Sequence, residues 1–168
     1  IGHEMLHGYD DQGSQFDATG NFNNWWTKAD RDGFESRTAK LVKQFDDYAA
    51  IDGLHVKGQL TLGENIADLG GLNVAWDAYQ KALADAGKSG ADKIDGYTEN
   101  QRFFMNWATV WRRAFTPDEL KVRLNTDPHA PAKEKERVRE PELPPMIGGA
   151  TPRPIREHLG LNKPIYQR

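Results

Sequence analysis

The spacing His3-Glu4-Met5-Leu6-His7 constrains this chain more tightly than any other stretch, because it has a chemical meaning only if the backbone there is helical. Residues four apart on a helix share a face, so two imidazoles at positions 3 and 7 can reach one metal ion. Glu4 then stands beside them, placed to take a proton from an attacking water. This is the H-E-x-x-H layout of zinc peptidases. Zinc takes neutral imidazoles or anionic groups in a roughly tetrahedral set, and a catalytic site leaves one position open. Two histidines do not complete such a set. The alternative is a helix with two solvated histidines, and a third ligand decides between the two readings.

With no cysteine among 168 residues, thiolate ligands are excluded and any third ligand is a histidine, aspartate or glutamate. The length suits one domain with a real core. A hydrophobic share of 38% and a mean hydropathy of −0.78 point to exposed helices or a loose tail. The net charge of −3 leaves no basic footprint for nucleic acid, so no nucleic-acid partner is expected. No apolar run reaches membrane-spanning length and no signal peptide opens the chain. The first residue is not methionine and reads as the inside of a helix, so the chain is expected to be a fragment of a longer one.

Helix signals follow the motif in order. The opening helix should stop near Gly8 to Gly13, where glycine and aspartate gather. Thr27, with Asp30 three residues on, starts a helix over 28–49 whose apolar face is Phe34, Leu41, Phe45 and Tyr48. Residues 51–60 alternate like a short strand or hairpin around Gly53 and Gly58. Thr61-Leu62-Gly63-Glu64 matches a capping box and opens a long helix ending near Gly87. Gly70-Gly71 inside it lowers helix stability by on the order of 1 kcal/mol each, which implies a close approach by another backbone or a ligand. Residues 88–95 read as a polar loop, Thr98 starts a helix over 99–115, and Thr116-Pro117-Asp118-Glu119 starts a short one ending near Leu124. Loop then runs through the prolines to Pro131, and 132–168 is charged, proline-rich and mostly irregular, with a turn or two of helix near Ile155 to Leu159.

The third ligand should be an acid or histidine on a packed helix beside glycines, and Glu64 meets that description. Glu64 and Asp68 are four apart and point the same way, so one carboxylate can bind the metal while the other accepts the free ring N–H of a ligating histidine. The competing role for Glu64 is to complete the cap begun by Thr61. Asp10 or Asp11 can act as a further orienting acid, although turn chemistry accounts for both equally well.

Four stretches, Ile1 to Gly13, Asn24 to Thr27, Thr61 to Leu72 and Thr126 to Pro131, resemble in order and spacing the neprilysin family of zinc metallopeptidases. The resemblance covers residues 1 to about 131. It implies a mainly α fold: the C-terminal helical part of a zincin-like (gluzincin) catalytic domain over 1–131, followed by a diverged tail over 132–168. It implies one Zn2+ per chain held by His3, His7 and Glu64, with Glu4 as general base and Asp68 orienting a zinc histidine. His129 matches a histidine that stabilises the oxyanion of the tetrahedral intermediate. Val110 and Trp111 match residues lining the pocket for the apolar side chain just after the cut, although periodicity alone makes them core. The implied activity is endopeptidase cleavage of oligopeptides on the amino side of hydrophobic residues, and the implied partners are peptide substrate and the missing N-terminal part of the parent chain. The resemblance also implies an extracytoplasmic setting (secreted, periplasmic or membrane-anchored). The family's arginine after the histidine loop is absent from its expected context, with Lys135 or Arg137 as substitutes. The alternative function is a non-catalytic truncated helical fragment that binds zinc weakly or not at all.

Overall fold

The computed structural model describes residues 1–132. The charged tail, Lys135, Arg137 and the helical turn expected near Ile155 lie outside the described residues. The described residues form five α-helices, two short hairpins and two 3-10 turns (His7–Tyr9 and Gly13–Gln15): α1 (Gly2–Leu6), α2 (Lys28–Asp46), β1 (Ala49–Ile51), β2 (Leu54–His55), α3 (Leu62–Asp85), β3 (Lys93–Ile94), β4 (Tyr97–Thr98), α4 (Glu99–Val110) and α5 (Pro117–Thr126). The fold is therefore mainly helical, with α3 as its axis.

Helix starts follow their local chemistry at three places. Thr27 and Asp30 form a reciprocal capping box at α2, and Thr98 and Gln101 form one at α4. Thr116 accepts the Glu119 N–H at α5, with Pro117 at the first helical position. At α3 the expected box is absent. Thr61 makes no side-chain cap; its hydroxyl accepts the Asn65 side-chain amide at 2.9 Å, and Glu64 points elsewhere.

Boundaries shift where tertiary pairing takes over. α2 ends at Asp46 rather than 49 because Ala49–Ile51 pairs antiparallel with Leu54–His55 across Asp52-Gly53. Both turn residues have positive φ, 49° and 75°, as a two-residue hairpin turn requires. Within the 88–95 segment, read from sequence as loop, Lys93–Ile94 pairs with Tyr97–Thr98 across Asp95-Gly96, again at positive φ. α4 stops at Val110 instead of 115, and α5 runs to Thr126 instead of 124.

Leu41 and Phe45 of α2, Val56, Leu62 and Ile66 of α3, Leu124 of α5 and Ala130 form the buried core. A second cluster joins α3 to α4, where Trp76 lies 4.8 Å from Phe104 and Tyr79 stacks on Phe103 at 5.1 Å between ring centroids. α1 packs backbone to backbone against α3. A Cβ on Gly71 would stand 2.4 Å from the His3 backbone nitrogen, and one on Gly2 would stand 2.7 Å from the Gly71 carbonyl oxygen. Within the glycine pair inside α3, Gly71 thus admits the backbone of α1 and Gly70 the Leu6 side chain, which sets the histidines against the acids of α3.

Candidate metal centre

α1 is one short turn and a half, and His7 already lies in the 3-10 turn His7–Tyr9 that continues it. Both imidazoles nevertheless face α3. His3 Nε2 and His7 Nε2 are 3.1 Å apart, and Glu64 Oε2 lies 3.3 Å from the first and 3.7 Å from the second. Those three are the one group of histidines and acids among the described residues whose ligand atoms converge closely enough to hold a metal ion.

The outer nitrogens are each engaged. His3 Nδ1–H donates to Asp68 Oδ1 at 2.9 Å, and His7 Nδ1–H donates to Asp10 Oδ2 at 2.8 Å. With Nδ1 carrying the proton, each neutral ring turns a bare Nε2 lone pair inward. Asp10 holds its place through its other oxygen, which accepts the Gln12 and Gly13 backbone N–H groups at 2.8 and 2.7 Å. Asp11 takes no part in this. It faces the groove between the following loop and α2, and burial pushes its carboxyl above the usual range. The Asp10 hydrogen bond raises the His7 pKa above 6.5, with burial opposing it and Glu64 and Glu4 adding to it.

Two observations test whether zinc fits. The inward atoms stand 3.1, 3.3 and 3.7 Å apart, against an edge of about 3.3 Å for a tetrahedron with zinc bonds of about 2.0–2.1 Å. Glu64 Oε2 is shut off from solvent and makes no hydrogen bond of acceptable geometry, although imidazole nitrogens surround it. Two facing lone pairs and an unsatisfied carboxylate oxygen form an environment that a divalent cation relieves. The residues fit the group.

His129 arrives from the loop after α5. Its Nε2 lies 3.2 Å from Glu64 Oε2, and its Nδ1–H donates to Asp127 Oδ1 at 2.9 Å. Asp127 is the residue that sequence reasoning missed. In the sequence it reads as part of a proline-containing loop, and the one signal for it is its position two before His129, where an aspartate folds back onto the chain. Its carboxyl is held below the usual range. Burial raises it, but the His129 backbone N–H and ring and the Arg123 guanidinium together outweigh that.

The remaining candidates sit at the margin. Glu4 is 79% exposed in its side chain, with Oε1 4.0 Å from His3 Nε2, on the open side of the cluster. Trp111 caps the end of α4 with its ring 6.2 Å from the His129 ring. Val110 is 65% exposed, so the core position that periodicity assigns it is not where it lies. α4 ends there and nothing in the described residues covers it.

The sequence model described as Peptidase family M13 matches residues 1–141. The chain is 41% identical over 133 residues to endothelin-converting enzyme 1 of Bos taurus, covering 79% of this chain and 18% of that protein. For the enzyme of the same name from Rattus norvegicus the identity is 42% over 136 residues, covering 79% and 17%. The chain therefore spans less than a fifth of the curated relatives it matches. Among solved structures it resembles Mycobacterium tuberculosis zinc metalloprotease Zmp1 in complex with inhibitor, with a TM-score of 0.76 and 42% identity over 83% of this chain and 22% of that one. PepO from Lactobacillus rhamnosis gives a TM-score of 0.66 at 35% identity, over 80% and 19%.

Proposed function

Because this chain belongs to Peptidase family M13, we propose that residues 1–131 form the zinc-binding part of a zinc-dependent endopeptidase that hydrolyses oligopeptides on the amino side of hydrophobic residues. The observation that carries this reading is the convergence of His3 Nε2, His7 Nε2 and Glu64 Oε2 on one point, with Glu64 Oε2 buried and unsatisfied. These three residues hold the metal. When bound, Zn2+ supplies Lewis acidity, which makes water a nucleophile near neutral pH and polarises the scissile carbonyl.

The chain's own residues divide the rest of the work. Asp68 and Asp10 keep a proton on each Nδ1, so His3 and His7 present bare Nε2 atoms and do not rotate out of register. Glu4, on the open side, takes the proton from the attacking water and passes it to the leaving amine. His129 donates from Nε2 to the developing oxyanion when its ring carries both protons, its Nδ1–H being held by Asp127. The Trp111 ring beside His129 and the exposed Val110 next to it in the chain offer apolar surface, which suits a hydrophobic side chain just after the cut. Peptide substrate and the remainder of a longer parent chain are the partners this reading requires. An extracytoplasmic location goes with it, and no described helix is long and apolar enough to cross a membrane.

Metal analysis of the purified chain followed by a fluorogenic-peptide assay with and without chelator tests the proposal. About one zinc per chain and chelator-sensitive cleavage are expected. Glu4→Gln should retain the metal and lower kcat by about 10²–10⁴-fold; an unchanged rate would remove Glu4 from the mechanism.

A further inference from the structure

We propose that Arg123 is a positioning residue for the oxyanion histidine, acting through Asp127. The inference rests on the role given to His129 above, and its first readout does not depend on turnover.

Arg123 lies one helical turn before Asp127 at the end of α5, and its Nη1 donates to Asp127 Oδ2 at 2.5 Å. The other oxygen of that carboxylate accepts both the backbone N–H and the ring Nδ1–H of His129, each at 2.9 Å. Asp127 is thus pinned from both sides, with the arginine on one oxygen and the histidine on the other. The guanidinium is itself fixed. Its Nε donates to Glu119 Oε1 at 2.8 Å, and its carbon sits 4.4 Å above the Phe115 ring. The resulting path, Phe115 and Glu119 to Arg123 to Asp127 to His129, ends 3.2 Å from the metal-facing oxygen of Glu64.

The plain alternative is that Arg123 and Asp127 form a helix staple like the other pairs at this spacing. Exposure separates them. Lys28–Asp32, Lys43–Asp47 and Lys81–Asp85 have side chains 58–87% exposed, the regime in which an ion pair contributes little. Arg123 is 34% and Asp127 18% exposed, and none of the three lysine-pair acids touches a histidine. An arginine suits the place because its fork gives two nitrogens to two different carboxylates, whereas a lysine offers one compact charge. Without the guanidinium, Asp127 is free to turn its carboxylate and let the His129 ring swing, which misplaces the Nε2 donor.

The test compares the zinc-loaded 168-residue chain with Arg123→Gln and Arg123→Lys, using Lys43→Gln on α2 as a staple control. Long-range proton–nitrogen spectra read the His129 Nδ1–H, which in the starting protein should give a low-field, slowly exchanging resonance. Arg123→Gln should lose that resonance while keeping its zinc, and kcat should fall about 10-fold with KM within twofold, the scale expected for a partner behind a working side chain. Arg123→Lys should recover the resonance, broadened, and most of kcat, and Lys43→Gln should change neither. An unaltered His129 resonance in Arg123→Gln overturns the proposal, as does a resonance lost equally in Lys43→Gln. If Arg123→Gln fails to fold, Arg123→Lys decides, since a faster-exchanging resonance supports the coupling and an unchanged one refutes it. Loss of hydrolysis in every form, with the resonance behaving as stated, counts against the proposed function and not against the coupling.

Discussion

The starts of α3 and α4 carry the same four-residue pattern and use it differently. At α4 the Thr98 hydroxyl accepts the Gln101 N–H at 3.1 Å, and the Gln101 side chain accepts the Thr98 N–H at 2.9 Å, so two unpaired donors are satisfied within one turn. At α3, Thr61 has left the extended conformation of a cap, with φ −97° and ψ 5°, and Glu64 turns toward His3, His7 and His129. Packing holds this helix start instead, through Leu62 and Ile66 in the core and the Thr61 N–H bonded to the Lys57 carbonyl at 3.1 Å. The difference teaches that a local capping signal decides geometry only where no distant partner competes for the same carboxylate.

Breaking each end in turn should separate site chemistry from fold stability. The largest effect belongs to Glu64→Ala, which should weaken zinc binding by more than about 100-fold and leave the melting of the metal-free chain little changed; unaltered metal stoichiometry would sink the ligand assignment. Next comes Gly71→Ala, whose new Cβ must displace the His3 backbone. It should destabilise the chain by about 1–3 kcal/mol and also weaken zinc binding, which titration calorimetry and denaturant unfolding can measure together. At the other helix start, Thr98→Ala should reduce stability by about 1 kcal/mol without touching zinc affinity.

The smallest effect is the pH dependence of the cluster. The folded-state pKa of His7 is raised above 6.5, chiefly by its hydrogen bond to Asp10. The folded metal-free chain therefore holds the proton more tightly than the unfolded one. Its contribution to stability is fully present below 6.5 and is lost as pH rises through the raised value. Zinc affinity runs the other way, falling as acidification through that value puts a proton where the metal must bind. Asp10→Asn should flatten both dependences, read as melting temperature in chelator and as zinc affinity across pH. Thr98→Ala should leave both unchanged.

Much of the fold was legible locally. The caps at Thr27, Thr98 and Thr116 are satisfied by residues three positions on, so the sequence specifies them without help from the rest of the chain. The Asp-Gly pairs at 52–53 and 95–96 are equally local, yet only around the first does the sequence alternate like a short strand or hairpin, and the second falls at the end of a segment that reads as polar loop because its flanking strands are two residues long. The end of α4 is not legible locally, because the aromatic periodicity continues past Val110 while the helix does not. Of the site, the two histidines, Glu4, Glu64 and Asp68 stood out by spacing. His129 carries no signal of its own beyond the family resemblance, spacing does not separate Asp10 from Asp11, and Asp127 has only its place two before His129 to mark it.

By itself, then, the sequence determined the helices, the turn at Asp52-Gly53, and the kinds of ligand available: imidazoles four apart, acids four apart, and no thiols. The tertiary structure alone decided that Gly71 brings the α1 backbone within reach of α3, that Glu64 leaves its cap for three histidines, and that Asp10 and Asp127 are the acids behind His7 and His129. The physical reason is range. A cap or a turn is set by groups within four residues, whereas His3, Glu64 and His129 lie more than sixty residues apart along the chain and meet only through packing, and packing determines which of several equally suitable carboxylates each histidine finds.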